Sequence, residues 1–258
     1  MKHTPHSFLA MKRATPNTPI PMLTAYTTPV AKCLEHASVP ILLVGDSVGM
    51  VEMGFNSTRE VTIDHMAYHV GAVRRGAPNT HIIGDMPYQT DEDPYSALIN
   101  AHKLIDAGAD SVKLEGAKLD VIAHLVDNDI DVVGHTGLLP QTAENFKKVG
   151  KDAEEAKRIL QEARAIEDAG AFMLVIEHTP ASLAKNITAQ LKIPTIGIGA
   201  GAECDGQVLV INDAIGFGGY LPPFAKQYAQ IGETIEEAAR QFMHDVQEKT
   251  FPSVPPNT

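Results

Sequence analysis

Six short segments of this chain each close an apolar run with groups that can bind, carry charge or move protons. In order they are Val44-Gly45-Asp46-Ser47, Ile83-Gly84-Asp85, Lys113-Leu114-Glu115-Gly116, Gly134-His135-Thr136-Gly137, Ile176-Glu177-His178 and Gly197–Gly201. Asp and Gly routinely end strands as turn formers, so each segment alone reads as a turn. Five consecutive runs ending in an ionisable residue read differently. Charges gathered near one axis are costly unless they are paired or bound to a metal.

Asp46 and Asp85 each follow a glycine at the end of a similar apolar run. Two converging carboxylates repel, and a hard divalent cation resolves the repulsion. Oxygen-only ligation with open positions suits Mg²⁺, which keeps waters and accepts substrate oxygens. The alternative is two solvent-facing aspartates in helix caps or Asx turns. Lys113 and Glu115 are two apart, so on one strand they share a side. If that side is interior, Lys113 neutralises a substrate carboxylate or oxyanion, and Glu115 pairs with it or accepts from metal-bound water. A structural ion pair is compatible with that role. Glu177 follows the apolar run Phe172–Ile176, and an apolar surround suits a carboxylate to serve as general base. Its alternative is a helix-start glutamate before Pro180. His135 sits near two glycines, Gly134 and Gly137, and reads equally as a structural or a catalytic histidine. Gly197–Gly201 lacks both a P-loop and a dinucleotide fingerprint, and reads as a tight turn approaching a ligand or a facing loop.

Positioning these groups is the task of the apolar runs themselves. They are Met22–Tyr26, Ile41–Asp46, His81–Met86, Ser111–Gly116, Asp131–His135, Phe172–Glu177, Pro194–Gly199 and Gln207–Ile211. Most are continuous rather than alternating, as expected of parallel strands covered on both faces. Amphipathic stretches separate them. Asp152–Ala169 carries Ala156, Ile159, Leu160, Ala163 and Ile166 at helical spacing. Asp64–Arg75, Pro94–Asp106 and Pro180–Leu191 read the same way, and Thr234–Gln247 adds a C-terminal helix. Eight strands alternating with helices over 258 residues predict a (βα)8 barrel, with an open doubly wound sheet as the alternative. The segment Asp106–Glu115 echoes Asp168–Glu177, 62 residues later, as two βα units would. No linker divides the chain, which reads as one domain over 1–258. A short N-terminal arm should cap the barrel bottom or pack on a neighbour, and the tail Phe251–Thr258 should be irregular.

Composition narrows the function. A formal net charge of −11 argues against nucleic-acid binding, and the absence of Trp argues against a base-stacking platform. No apolar run reaches membrane-span length, and no apolar stretch follows Lys2, Lys12 and Arg13 as a secretory signal would require. Two isolated cysteines, Cys33 and Cys204, fit a reducing cytoplasm and neither zinc nor a disulfide framework.

Taken in order, these motifs resemble those of the ketopantoate hydroxymethyltransferase family. The similar segments are Met22-Leu-Thr-Ala-Tyr26, Gly45-Asp-Ser-Val-Gly-Met50, Gly84-Asp-Met-Pro87, Val112-Lys-Leu-Glu-Gly116, Gly134-His-Thr-Gly137 and Leu139-Pro-Gln141. Glu177, Ile193-Pro-Thr-Ile-Gly-Ile-Gly-Ala-Gly201, Asp205-Gly-Gln207 and Phe224-Ala-Lys226 continue the match. The resemblance spans Thr18 to Phe242. It implies a (βα)8 TIM barrel of the phosphoenolpyruvate/pyruvate type. It implies transfer of a hydroxymethyl group from 5,10-methylenetetrahydrofolate to 3-methyl-2-oxobutanoate, giving 2-dehydropantoate in pantothenate biosynthesis. Asp46 and Asp85 match the family's Mg²⁺ ligands, through which the oxo-acid is also held, and Glu115 matches an acidic residue joined to the metal through water. Ser47 and Lys113 match oxo-acid contacts, and Glu177 matches the proposed general base. The resemblance further implies a homo-oligomer, a decamer. Gly84-Asp85-Met86 and His178-Thr179 depart from the usual pattern but leave the chemical residues in place. Alternatives are a lyase or mutase of the phosphoenolpyruvate mutase and isocitrate lyase kind, against which stands the absence of a cysteine after the fourth strand, and a catalytically silent metal-binding scaffold.

Overall fold

The computed structural model describes residues 2–252, and the chain forms two compact units, Met1–Val210 and Ile211–Thr258. The first is a closed barrel of eight parallel strands in sequential order. They are β1 (Ile20–Thr24), β2 (Ile41–Val44), β3 (His81–Asp85), β4 (Ser111–Lys113), β5 (Val132–Gly137), β6 (Met173–Glu177), β7 (Thr195–Ile198) and β8 (Gly206–Leu209). Closure comes from β1, which pairs with β2 through Met22 and Ile41 and with β8 through Ile20 and Gly206. The doubly wound alternative is thereby excluded. The pairing with β8 also explains why β1 begins two residues before the apolar run at Met22.

Helices α1 (Pro5–Arg13), α2 (Thr28–His36), α3 (Val48–Val51), α4 (Ile63–Gly76), α5 (Pro94–Ala107), α6 (Leu119–Asp127), α7 (Ala153–Asp168) and α8 (Ala181–Gln190) belong to this unit. Their limits follow local chemistry. Asp93 caps α5 by accepting from the N–H groups of Tyr95 and Ser96, Pro94 opens it, and Gly108 ends it at φ +118°. Asp152 caps α7, which buries Ile159, Ala163 and Ile166 along one stripe. At Gly134 a Cβ would lie 2.3 Å from Ile166 Cγ2, so the bare backbone of β5 is what lets α7 pack closely.

Met22, Ile41, Leu43, Ile83, Val133, Met173, Val175, Ile196 and Val208 fill the barrel interior together with Phe8 of α1. The N-terminal arm therefore plugs the barrel, and it does so at the N-terminal ends of the strands. His81, which opens β3, has Nδ1 3.2 Å from the His3 carbonyl and Nε2 3.0 Å from Ser111 Oγ. Lys2 and Arg74 pair with Asp110, and Lys12 Nζ lies 2.7 Å from Asp205 Oδ2.

The second unit begins with α9 (Ile211–Ile215) and ends with α10 (Ile231–Gln247), which buries none of its residues within the described chain. The eighth strand ends at Leu209, before the expected Ile211, and Ile211 opens a helix instead. Pro252 is the last described residue, so most of the tail expected to be irregular lies outside the description. Among the described residues no helix is long and apolar enough to cross a membrane.

Candidate active site

The C-terminal ends of β2 to β6 bring Asp46, Asp85, Lys113, Glu115, His135 and Glu177 to the barrel mouth. Parallel register does this. Asp85 is paired with Lys113, and Gly137 with Glu177, across neighbouring strands. Glu115 stands two residues past the end of β4, yet the ladder continues through Leu114 N–H to the Val133 carbonyl and Gly116 N–H to the His135 carbonyl. The extended backbone keeps Lys113 and Glu115 on one side, and both are buried.

Among the described residues Lys113 is the one cation at the centre of this group. Its Nζ lies 2.7 Å from Asp85 Oδ1. Asp85 Oδ2 accepts from the Asp46 N–H at 3.2 Å. Burial works against the ammonium ion, but Asp85, Glu115 and Asp46 outweigh it and hold Lys113 charged, above its ordinary range. Burial pushes the Asp85 carboxyl up to about 7 against the pull of Lys113, and the Asp46 charge adds to the rise. Burial also raises Asp46, with Lys113 and Gln141 opposing, and raises Glu115 well above the usual carboxylate range.

The causes share one origin: more carboxylates than cations in a site that water barely enters. An added hard cation would relieve them. The donors fit Mg²⁺, since they are all oxygens and one or two carboxylates suffice for an ion that retains waters. Asp46 and Asp85 are the pair that fits. Among the described residues no three Asp, Glu, His or Cys side chains stand together to hold an ion.

Gln141 joins Glu115 to that pair, and its role was not legible in the sequence. Its Nε2 donates to Asp46 Oδ2 at 2.9 Å and to the Met86 carbonyl at 3.0 Å, while its backbone N–H donates to Glu115 Oε2 at 3.1 Å. Gln141 lay inside the quoted Leu139-Pro-Gln141 motif, but a neutral amide in a loop signals no chemistry by type or spacing. Tyr26 was missed likewise. It is fully buried, and its OH lies 2.8 Å from Ser47 Oγ, which sets that hydroxyl beside Asp46.

Across the mouth, His135 Nε2 lies 3.2 Å from Glu177 Oε2, and Nδ1 lies 3.6 Å from Glu115 Oε1. Only the first distance is within hydrogen-bond reach. Burial and the Lys113 charge hold the ring below its ordinary value, with Glu177 opposing. A neutral imidazole donates from one nitrogen only, and Glu177 is the nearer acceptor, although neither buried ring nitrogen makes an aligned hydrogen bond. The Glu177 side chain is 18% exposed, against 2–5% for the side chains of Asp85, Lys113, Glu115 and His135. It meets His135 and the mouth rather than a purely apolar surround, and it ends β6 rather than opening a helix.

The glycines before the aspartates do not admit a ligand uniformly. A Cβ at Gly84 would meet Leu104 and Ala109 at 3.2–3.3 Å, so this glycine serves helix packing. Gly201 at φ +85° approaches Ala181, which makes the Gly197–Gly201 turn a contact with a facing helix.

The family model described as ketopantoate hydroxymethyltransferase matches residues 2–254. The chain belongs to the ketopantoate hydroxymethyltransferase family. The 3-methyl-2-oxobutanoate hydroxymethyltransferase of Halalkalibacterium halodurans is 47% identical over 257 residues, covering 96% of this chain and 91% of the relative. The protein of the same name from Pyrobaculum calidifontis is 46% identical over 238 residues, covering 90% of each. Among solved structures, a putative phosphonomutase from Burkholderia cenocepacia aligns with a TM-score of 0.68 at 17% identity, covering 92% of this chain and 99% of that one. A phosphonopyruvate hydrolase solved with oxalate and Mg++ aligns at 0.63 with 12% identity, covering 99% and 93%. At such identities the likeness shows the fold alone, the closed (βα)8 barrel. Ketopantoate hydroxymethyltransferases transfer a hydroxymethyl group to 3-methyl-2-oxobutanoate, and membership makes this chain an enzyme of pantothenate biosynthesis.

Proposed function

We propose that this enzyme makes 2-dehydropantoate by enolising 3-methyl-2-oxobutanoate beside a Mg²⁺ ion and adding the one-carbon unit of 5,10-methylenetetrahydrofolate. The observation that carries the reading is the charge imbalance at the mouth, where Asp46, Asp85 and Glu115 surround Lys113 alone in a buried site. Asp46 and Asp85 would hold the ion. When bound, it withdraws electrons from the neighbouring ketone and carboxylate oxygens and makes the C3 hydrogen more acidic.

The chain's own residues supply the rest. Glu177, the most open of these carboxylates, takes the proton from C3. His135 orients the receiving oxygen. Lys113 offsets the negative charge that grows on the substrate oxygens, an interaction strengthened by the water-poor surround. Ser47, held by Tyr26, contacts the oxo-acid. One C–N bond of the folate methylene opens to an iminium and the enolate carbon bonds to that carbon; water then replaces the second C–N bond, and the C3 proton held by Glu177 and one proton of that water go to the two folate nitrogens. One water supplies the hydroxyl, and tetrahydrofolate leaves.

The subunits assemble on this reading as a homo-oligomer, a decamer, in the cytoplasm. Exposed Ile235, Phe242, Met243 and Val246 on α10 support self-association. Light scattering showing a monomer at micromolar concentration would contradict it.

The chemistry is tested without folate. In deuterated water the enzyme with Mg²⁺ should exchange the C3 hydrogen of 3-methyl-2-oxobutanoate, followed by NMR, and a chelator should stop the exchange. Full exchange by chelated, metal-free protein would remove the role given to Asp46 and Asp85.

A further inference from the structure

A cavity of about 590 Å³ opens beside Glu115 and Gln141, between the loops that follow β3, β4 and β5. Small-molecule sites typically measure about 300–1,000 Å³, so this one is far larger than a short branched oxo-acid requires. The oxo-acid groups lie deeper, with Asp85 and Lys113 almost wholly buried. A one-carbon donor must reach C3 from the open side, and the cavity meets the reacting centre at Glu115.

We propose that this cavity is the subsite for the pterin ring of the folate cosubstrate. The proposal rests on the functional reading above and assigns that reading a place and residues. Tyr88 and Leu139 give it apolar walls, and Glu92 and Asp120 line it with carboxylates. A pterin is flat and presents an amino-pyrimidinone edge whose parallel N–H groups suit a carboxylate acceptor. The walls are braced before any ligand arrives. The Arg59 guanidinium lies 5.6 Å from the centre of the Tyr88 ring, and its Nε donates to the Gln141 carbonyl at 2.6 Å. Arg59 thus ties the Tyr88 wall to the residue that bridges Asp46 and Glu115. Lys118 Nζ, 2.5 Å from the fully buried Asp91 Oδ1, ties the loop after β4 to the loop after β3. A ring lying against Tyr88 and Leu139, with its pyrimidinone edge at Glu92 or Asp120, turns its one-carbon side toward Glu115 and the oxo-acid.

The test measures tetrahydrofolate binding to the Mg²⁺- and oxo-acid-saturated enzyme by calorimetry. Wild type should bind. Leu139→Trp, which fills the cavity, and the double variant Glu92→Gln with Asp120→Asn should each weaken tetrahydrofolate by at least roughly tenfold, about one 1.4 kcal/mol step. The KM for 5,10-methylenetetrahydrofolate should rise in parallel, and calorimetry should show oxo-acid binding retained. The chain contains no other Trp, so the new indole also reports ligand approach by fluorescence. Wild-type tetrahydrofolate affinity in both variants would overturn the subsite and leave the cavity as a solvent channel. If Leu139→Trp loses oxo-acid binding as well, it has misfolded, and the double variant decides by the same criterion. Wild-type protein that neither binds tetrahydrofolate nor makes product would overturn the functional reading and the subsite with it.

Discussion

The two ends of the barrel bury a histidine each, and they treat it in opposite ways. At the N-terminal end His81 lies between the His3 carbonyl and Ser111 Oγ, with Phe8 packed edge-on against it. The carboxylates at that end are each paired: Asp110 with Lys2 and Arg74, and Asp205 with Lys12. At the C-terminal end His135 lies between Glu115 and Glu177, and Asp46, Asp85 and Glu115 share Lys113. The lower end is closed and electrically satisfied. The upper end is left in deficit of positive charge, which is stabilising only when a cation and substrate complete it. The same residue type thus serves stability below and chemistry above, and the surrounding charge decides which.

Substitutions at the two ends should separate these roles. The largest effect belongs to Glu177→Gln, which keeps the shape but cannot accept a proton at neutral pH. It should lose C3 exchange and product formation together by roughly 10²–10⁴-fold, with substrate and Mg²⁺ still bound. A variant that exchanges normally yet makes no product would move Glu177 to the later hydration step and make His135 the next base to examine.

Phe8→Ala addresses the plug. Phe8 is fully buried among interior residues of five or more strands, and truncating such a side chain costs about 3–5 kcal/mol. Denaturant unfolding should show that loss, while kcat at moderate temperature should stay near wild type. Unchanged stability would mean that α1 rests on the barrel without supporting it.

His81 yields a pH signature. Burial holds it down to about 4, with Asp110 and the His3 carbonyl opposing and Lys2 and Arg74 assisting. The unfolded chain therefore takes up the proton first, near 6.5. Its contribution is fully present above about pH 6.5 and is lost as pH falls toward 4, about 3 kcal/mol at the limit. His81→Gln removes the titration, so its stability should fall less steeply than wild type between those limits. Equal slopes would show that other groups govern acid unfolding.

The smallest effect is assigned to Gln141→Leu. Losing the amide that holds Asp46 should weaken Mg²⁺, or Mn²⁺ read by electron paramagnetic resonance, by roughly 10–100-fold. Gln141→Asn, too short to span the gap, should not restore it, whereas excess metal should recover exchange. Unaltered metal affinity would reduce Gln141 to a loop support.

Much of the upper end was readable because its residues sit at the ends of continuous apolar runs. Asp46, Asp85, Lys113 and Glu177 declare their chemistry by type, and their spacing follows the βα repeat. Gln141 and Tyr26 declare nothing, because an amide and a phenol acquire function from what they touch. Glu115 was placed within a strand that ends at Lys113, but its orientation was right, since the backbone stays extended past the assigned strand.

What the sequence determined by itself is local: eight apolar runs, the helices between them, the caps that end those helices, and the ionisable residue closing each run from the second to the sixth. Periodicity and turn chemistry act over a few residues, so a linear reading reaches them. Closure of β1 onto β8, the seating of Phe8 in the barrel and the reach of Gln141 to Asp46, 95 residues away, were decided only by the tertiary structure. Each depends on strand register and on which loops meet at the mouth. Those are properties of the assembled sheet, in which residues distant along the chain come within hydrogen-bond range.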